Sequence, residues 1–154
     1  MRAATVTIQR LQACDIPRLR ALNALFGEAF DDRDTYAAEP PDDAYLAALL
    51  AKEHVIVLAA LADDALLGGL VAYELDKFER RRREIYIYDL AVRSQDRRRG
   101  VATALVEGVR RIGAQREASV VYVQADPGDD PAVSLYGKLG AREDVMHFDI
   151  AVDR

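Results

Sequence analysis

The stretch that constrains this chain most runs from Glu84 to Thr103. Its first half, Glu-Ile-Tyr-Ile-Tyr-Asp-Leu-Ala-Val (84–92), is rich in β-branched and aromatic residues and reads as a strand. Its second half opens a helix, because Val101, Ala102, Ala104, Leu105 and Val109 recur at helical spacing. Between them, Arg97-x-x-Gly100-x-Ala102 puts small residues where loop becomes helix. A helix N-terminus presents unpaired N–H groups and a partial positive charge. Gly100 and Ala102 let an anion approach those groups closely, and Arg97, Arg98 and Arg99 add charge. The pattern suits a pyrophosphate. It is not a nucleotide P-loop, which needs a Gly-Lys-Ser/Thr that this sequence lacks.

The rest of the composition narrows the class. The 154 residues are enough for one domain with a sizeable core, and a single domain spanning 1–154 is expected. A hydrophobic share of 51% argues against disorder. No apolar run reaches the roughly 18 residues of a membrane helix, and the first ten residues lack the apolar core of a signal peptide. The one cysteine, Cys14, allows no internal disulfide, so a reducing cytoplasm is the expected location. Two histidines and one cysteine leave little for a zinc site, and no metal is expected. The net charge of −5 disfavours nucleic acid and suits a cationic ligand.

Taken in order, Thr5 to Leu11 reads as a first strand. Asp15-Ile16-Pro17 starts a helix carrying Leu19, Leu22, Leu25, Phe26 and Phe30. The acidic, proline-containing stretch 31–43 predicts an irregular loop, with Asp42 or Asp43 capping a second helix through Leu50. His54 to Leu61 reads as a buried strand, Asp63-Asp64 as a hairpin turn, and Leu66 to Leu75 as a strand weakened or bulged at Gly68-Gly69. Lys77 to Arg83 is a charged, solvated turn. After the 84–92 strand and the 100–116 helix come a fifth strand (119–125) and a helix capped by Asp130 that ends near Gly140. A last strand is expected at 145–150.

The order of these mixed α/β elements, with the strand-cradle-helix unit, resembles the GNAT acetyltransferase superfamily. The strings at 84–92, 101–105, 122–133 (Tyr-Val-Gln-Ala-Asp-x-Gly-Asp-Asp-Pro-Ala-Val), 135–140 and 145–150 are similar to the gentamicin-type aminoglycoside 3-N-acetyltransferases. The resemblance spans roughly Leu19 to Ile150. It implies an α/β (α+β) GNAT fold: a mixed, mostly antiparallel sheet splayed at a bulge in the fourth strand, with helices on both faces. It implies transfer of an acetyl group from acetyl-CoA to the 3-amino group of an aminoglycoside, in a ternary complex. Other amine acceptors on the same fold, or a non-catalytic acyl-CoA-binding module, are the competing readings. Many superfamily members have two terminal strands where one is expected here, so a homodimer covering an open sheet edge is expected.

The chemistry assigns roles. The resemblance implies that the backbone of Leu90, Ala91 and Val92 meets the pantetheine and polarises the thioester, while Arg97 to Thr103, including Val101 and Ala102, holds the pyrophosphate. Asp89 is the proposed base of that family. On strand parity it shares a face with Ile85 and Ile87, where partial burial would raise its pKa. Alternatively it ends the strand by accepting loop N–H bonds. Tyr136 matches the tyrosine aimed at the cofactor sulfur, or is an ordinary amphipathic-helix tyrosine. The resemblance implies that the acids of 31–43 and 126–130 rim the acceptor side; alternatively they are ordinary solvated loop acids, with Asp42, Asp43 and Asp130 as caps. Asp32, Tyr36, Asp126, Asp129 and His147 are expected to meet a polycationic amine. His54 is expected to be structural, and Cys14 a packing residue rather than a nucleophile.

Overall fold

The computed structural model describes residues 4–154. The chain divides into two compact units, one running to Gln124 and the other spanning Ala125–Arg154.

The first unit is a five-stranded sheet in the order β1-β2-β3-β4-β5. Its strands are β1 (Thr7–Arg10), β2 (Val55–Ala62), β3 (Ala65–Asp76), β4 (Arg83–Val92) and β5 (Ala118–Val123). The first four pair antiparallel and β5 runs parallel to β4. Strand β2 is apolar at every position because both of its faces are covered. Val55, Val57, Ala59 and Leu61 pack with Leu19, Leu22, Leu25 and Phe26 of helix α1 (Ile16–Ala29). The same cluster includes Leu46 and Leu50 of α3 (Asp43–Leu50). The opposite face meets α4 (Val101–Gln115), which buries Val101, Leu105 and Val109. Two glycines let the layers close. A Cβ at Gly69 would overlap the Leu22 side chain, and one at Gly108 would crowd Ile8 and Leu58.

Local chemistry agrees with the sequence at most ends. Asp42 accepts the Tyr45 N–H at 2.8 Å and caps α3. Asp63 and Asp64 both have positive φ, 48° and 65°, as a tight hairpin turn between twisted strands requires. Asp15 occupies the α1 N-cap, but its carboxylate accepts the Gln12 N–H at 2.7 Å instead of capping. The bulge expected at Gly68-Gly69 falls one residue earlier: Leu61 faces Leu66 and Ala60 faces Gly68, leaving Leu67 as the extra residue. The two glycines are small because α1 and β4 press on them. The 31–43 stretch is not wholly irregular. Asp32 accepts the Thr35 N–H and starts a short helix, α2 (Arg33–Ala37). At the 77–83 turn, Arg82 and Lys77 pair with Glu79 and Glu84, while Arg83 already belongs to β4. His54 lies exposed just before β2, and Cys14 is exposed rather than packed.

The second unit holds helix α5 (Asp130–Leu139). Its cap is Asp129, which accepts the Ala132 N–H, so the helix starts one residue earlier than Asp130 capping predicts. The strand expected at 145–150 does not form. Residues 141–154 have no regular secondary structure and are exposed. Alternating side chains make a segment ready to be a strand, but a strand needs a neighbour's N–H and C=O groups.

Candidate active site

The anion cradle is built by the link from β4 to α4. A 3₁₀ turn, Ser94–Asp96, buries Asp96. Arg93 donates to Asp96 Oδ2 at 2.7 Å and Arg99 to Oδ1 at 3.4 Å, which braces the loop from within. Arg97 turns back and donates to the Val92 carbonyl at 3.3 Å. Gly100 then takes φ +77°, the left-handed region, to turn the chain into α4. A Cβ there would meet nothing within 4 Å, so the space in front of the helix is open. The first N–H accepted inside the helix is that of Ala104, by the Gly100 carbonyl at 2.9 Å. The N–H groups of Val101, Ala102 and Thr103 precede it at the positive end of a 15-residue helix. An open, left-handed glycine before free amides, flanked by three arginines, fits a pyrophosphate.

The sheet opens beside this cradle. Among the described residues, strand β4 pairs with β5 only from Arg83 to Ile87, then continues to Val92 against β3 alone. The separation begins at a bulge. Ile87 faces Ala72 and Asp89 faces Val71, leaving Tyr88 without a partner residue. An extra residue increases local twist and bends the strand. Leu90, Ala91 and Val92 lie beyond it, on the stretch that has left β5.

The bulge also overturns the parity expected for Asp89. Ile85 and Ile87 point to the α4 face with Ala72. Past Tyr88 the alternation shifts, and Asp89 falls on the opposite face with Val71 and Tyr73, toward α1 and α2. Its surroundings are therefore tyrosines rather than isoleucines. Tyr36 of α2 donates its hydroxyl to Asp89 Oδ1 at 2.8 Å. The rings of Tyr73 and Tyr88 lie 5.9 Å apart and those of Tyr86 and Tyr88 5.6 Å, while Tyr86 stacks on Tyr122. Burial raises the Asp89 pKa above the ordinary carboxylate range, and the Tyr36 hydrogen bond partly opposes the rise. Burial and the neighbouring carboxylate push the Tyr36 phenol up, so it stays a donor. Asp32 is a helix cap held below its usual pKa by Thr35, a role that its sequence left open.

In the second unit, Tyr136 lies half-buried on α5. Burial, and to a lesser degree Asp129, raises its phenol pKa and keeps it protonated. Asp129 spends one carboxylate oxygen on its cap, and Asp126 is exposed. His147 Nε2 lies 2.8 Å from Asp149 Oδ1, both side chains exposed. The structure thus brings Asp89, Tyr36 and Asp32 together on one face of the sheet. The tyrosine wall and buried Asp96 were missed in the sequence. The Tyr86-x-Tyr88 spacing hinted at the first, and nothing marked Asp96 out from the solvated acids around it.

Comparison with known proteins agrees with this geometry. Residues 19–141 match the Acetyltransferase (GNAT) family. No curated protein matches the chain. Among solved structures, an aminoglycoside acetyltransferase from an uncultured soil metagenomic sample is 50% identical, with a TM-score of 0.95, over 97% of this chain and 99% of that one. A second aminoglycoside acetyltransferase from an uncultured soil metagenomic sample, solved in complex with trehalose, is 31% identical at a TM-score of 0.89, over 96% and 97% of the chains. Its complex with sisomicin aligns at 30% identity with the same TM-score and coverage. With its splayed sheet, open helix N-terminus and family match over most of its length, this chain belongs to the GNAT acetyltransferase family.

Proposed function

We propose that this protein transfers the acetyl group of acetyl-CoA to an aminoglycoside, at the 3-amino group of gentamicin-type drugs, and so confers resistance. The observation that carries the reading is a half-buried carboxylate, Asp89, on the stretch of β4 that has parted from β5. The 50% identical aminoglycoside acetyltransferase supports the acceptor class, and the strings at 84–92, 122–133 and 145–150 support the position acetylated.

Acetyl-CoA supplies an activated thioester. The amides of Gly100 to Thr103 with Arg98 and Arg99 hold its pyrophosphate, and Leu90 to Val92 offer backbone groups to the pantetheine and the carbonyl. One well-placed oxyanion donor is worth about 3 kcal/mol. Asp89 takes the proton from the acceptor ammonium, which frees the nitrogen lone pair for direct attack in a ternary complex. Tyr136 returns a proton to the departing thiolate. Asp32, Asp126, Asp129 and His147 meet the remaining ammonium groups.

The protein works as one catalytic domain, in the cytoplasm, and as a homodimer. The dimer is supported by the unpaired outer edge of β5 among the described residues. The exposed Val145, Met146, Phe148, Ile150 and Val152 support it too. No helix among the described residues is long and apolar enough to cross a membrane. Incubating the protein with acetyl-CoA and a panel of aminoglycosides, polyamines and peptides, with thiol release as readout, tests the acceptor. NMR of the product locates the acetyl group. Preference for a polyamine or peptide would refute the substrate, and acetylation at another ring position would refute the regiochemistry alone.

A further inference from the structure

The hydroxyl of Tyr36 is 2.8 Å from one oxygen of Asp89, and nothing in the chemistry so far uses that contact. Several features hold it in place. Asp32 fixes the start of α2. The Tyr36 ring packs against Phe26 and Phe30, with centroids 6.0 and 5.8 Å away. Gly27 of α1 leaves the room: a Cβ there would stand 3.3 Å from the Tyr36 Cβ. A short helix with no buried residue of its own is thus anchored by one aromatic side chain that ends on the carboxylate.

We infer that Tyr36 is a positioning residue for Asp89: it occupies Oδ1 and leaves Oδ2 to face the acceptor amine. This reassigns Tyr36, expected from the sequence to touch substrate, and it rests on the reading of Asp89 as the base. With Oδ1 held, Oδ2 accepts the proton of the acceptor ammonium and the amine is left neutral. The donated hydrogen bond also favours the ionised carboxylate against the burial that opposes it. The other titratable groups around Asp89 are Asp32 of α2, Tyr73 of β3 and Tyr86 and Tyr88 of β4; burial pushes the Tyr73 and Tyr86 phenols up, so these two stay neutral through the working pH range.

The test is the titration midpoint of the Asp89 carboxyl in the free protein, read by ¹³C NMR and assigned by its loss in Asp89→Asn. Tyr36→Phe keeps the ring against Phe26 and Phe30 and removes only the donor. Its midpoint is expected about one pH unit above wild type. Placing 3-fluorotyrosine at 36, a stronger donor, is expected to move it down. The acid limb of kcat/KM should follow both shifts, with the acetyl-CoA KM unchanged. Midpoints that stay together in all three proteins overturn the inference. So does a rise in aminoglycoside KM with the acid limb unmoved, because Tyr36 would then be a substrate contact. Shifted midpoints in a protein that acetylates no aminoglycoside support the pair and refute the substrate assignment instead.

Discussion

Asp89→Asn separates the base from its surroundings. Asparagine has the same shape and its carbonyl still accepts the Tyr36 hydroxyl, so α2 stays anchored. What is lost is the charge and the proton-accepting power. Loss of a general base lowers kcat by roughly 10²- to 10⁴-fold, or about 3–5 kcal/mol of barrier. Acetyl-CoA affinity should be preserved, because the cradle lies on the far side of the 94–96 turn. Stability should move the other way. Burial raises the folded-state pKa of Asp89 above its unfolded value, so the folded protein binds this proton more tightly. That stabilisation is complete below the unfolded pKa and is lost as pH rises through the folded pKa. At neutral pH the wild type therefore carries the cost of a half-buried charge that the amide does not. Asp89→Asn should melt no lower than wild type at about pH 7. The assays are kcat against pH at saturating substrate, from about pH 6 to 9, and thermal melting of both proteins. High pH should partly rescue the mutant, because more of the amine is neutral without help. A mutant with near-wild-type kcat across the range would refute the mechanism. A mutant that melts well below wild type would refute the account of the burial.

Three further outcomes are expected. Gly100→Val places a branched side chain at φ +77°, in the open space before α4, and should weaken acetyl-CoA binding at least about tenfold by calorimetry. Wild-type affinity in the folded variant would refute the cradle. Arg116→Ala removes the main partner of Glu74, a buried carboxylate bonded to Arg116 Nη2 at 2.9 Å. With Arg83 still 3.5 Å away, denaturant unfolding should show a loss of about 2 kcal/mol, below the roughly 3–5 of a fully orphaned buried charge. Asp126→Asn with Asp129→Asn keeps a capping side chain on α5 and should raise the aminoglycoside KM at low salt, with the difference shrinking as salt is added. Equal kinetics at low salt would make both acids ordinary loop residues.

What the sequence made legible was whatever depends on near neighbours in the chain. The apolar run of β2, the cap at Asp42, the Asp63-Asp64 turn and the glycine before α4 each follow from a few consecutive residues, and each appears as expected. What depends on pairing between distant segments was not legible. Residues 145–150 alternate like a strand, yet their own sequence says nothing of which edge would receive them. Leu67 and Tyr88 are bulged because β2 and β3 fix the register on either side of them, and no residue type announces either. Asp129 and Asp130 are chemically equivalent caps, and the chain geometry before Pro131 chose the first.

The Tyr88 bulge links the two halves of the site. In a regular strand Asp89 would follow Ile85 and Ile87 onto the face covered by α4, the helix that buries Leu105 and Val109. An ionised carboxylate there would have no partner, and such a group either stays protonated or costs several kcal/mol. One extra residue moves Asp89 to the opposite face, where Tyr36 donates to it and burial is only partial. The same residue marks the point past Ile87 where β4 leaves β5, so the backbone of Leu90 to Val92 is freed just beyond the displaced carboxylate. A base of raised pKa and free backbone groups within three residues of it are therefore two consequences of a single irregularity in β4.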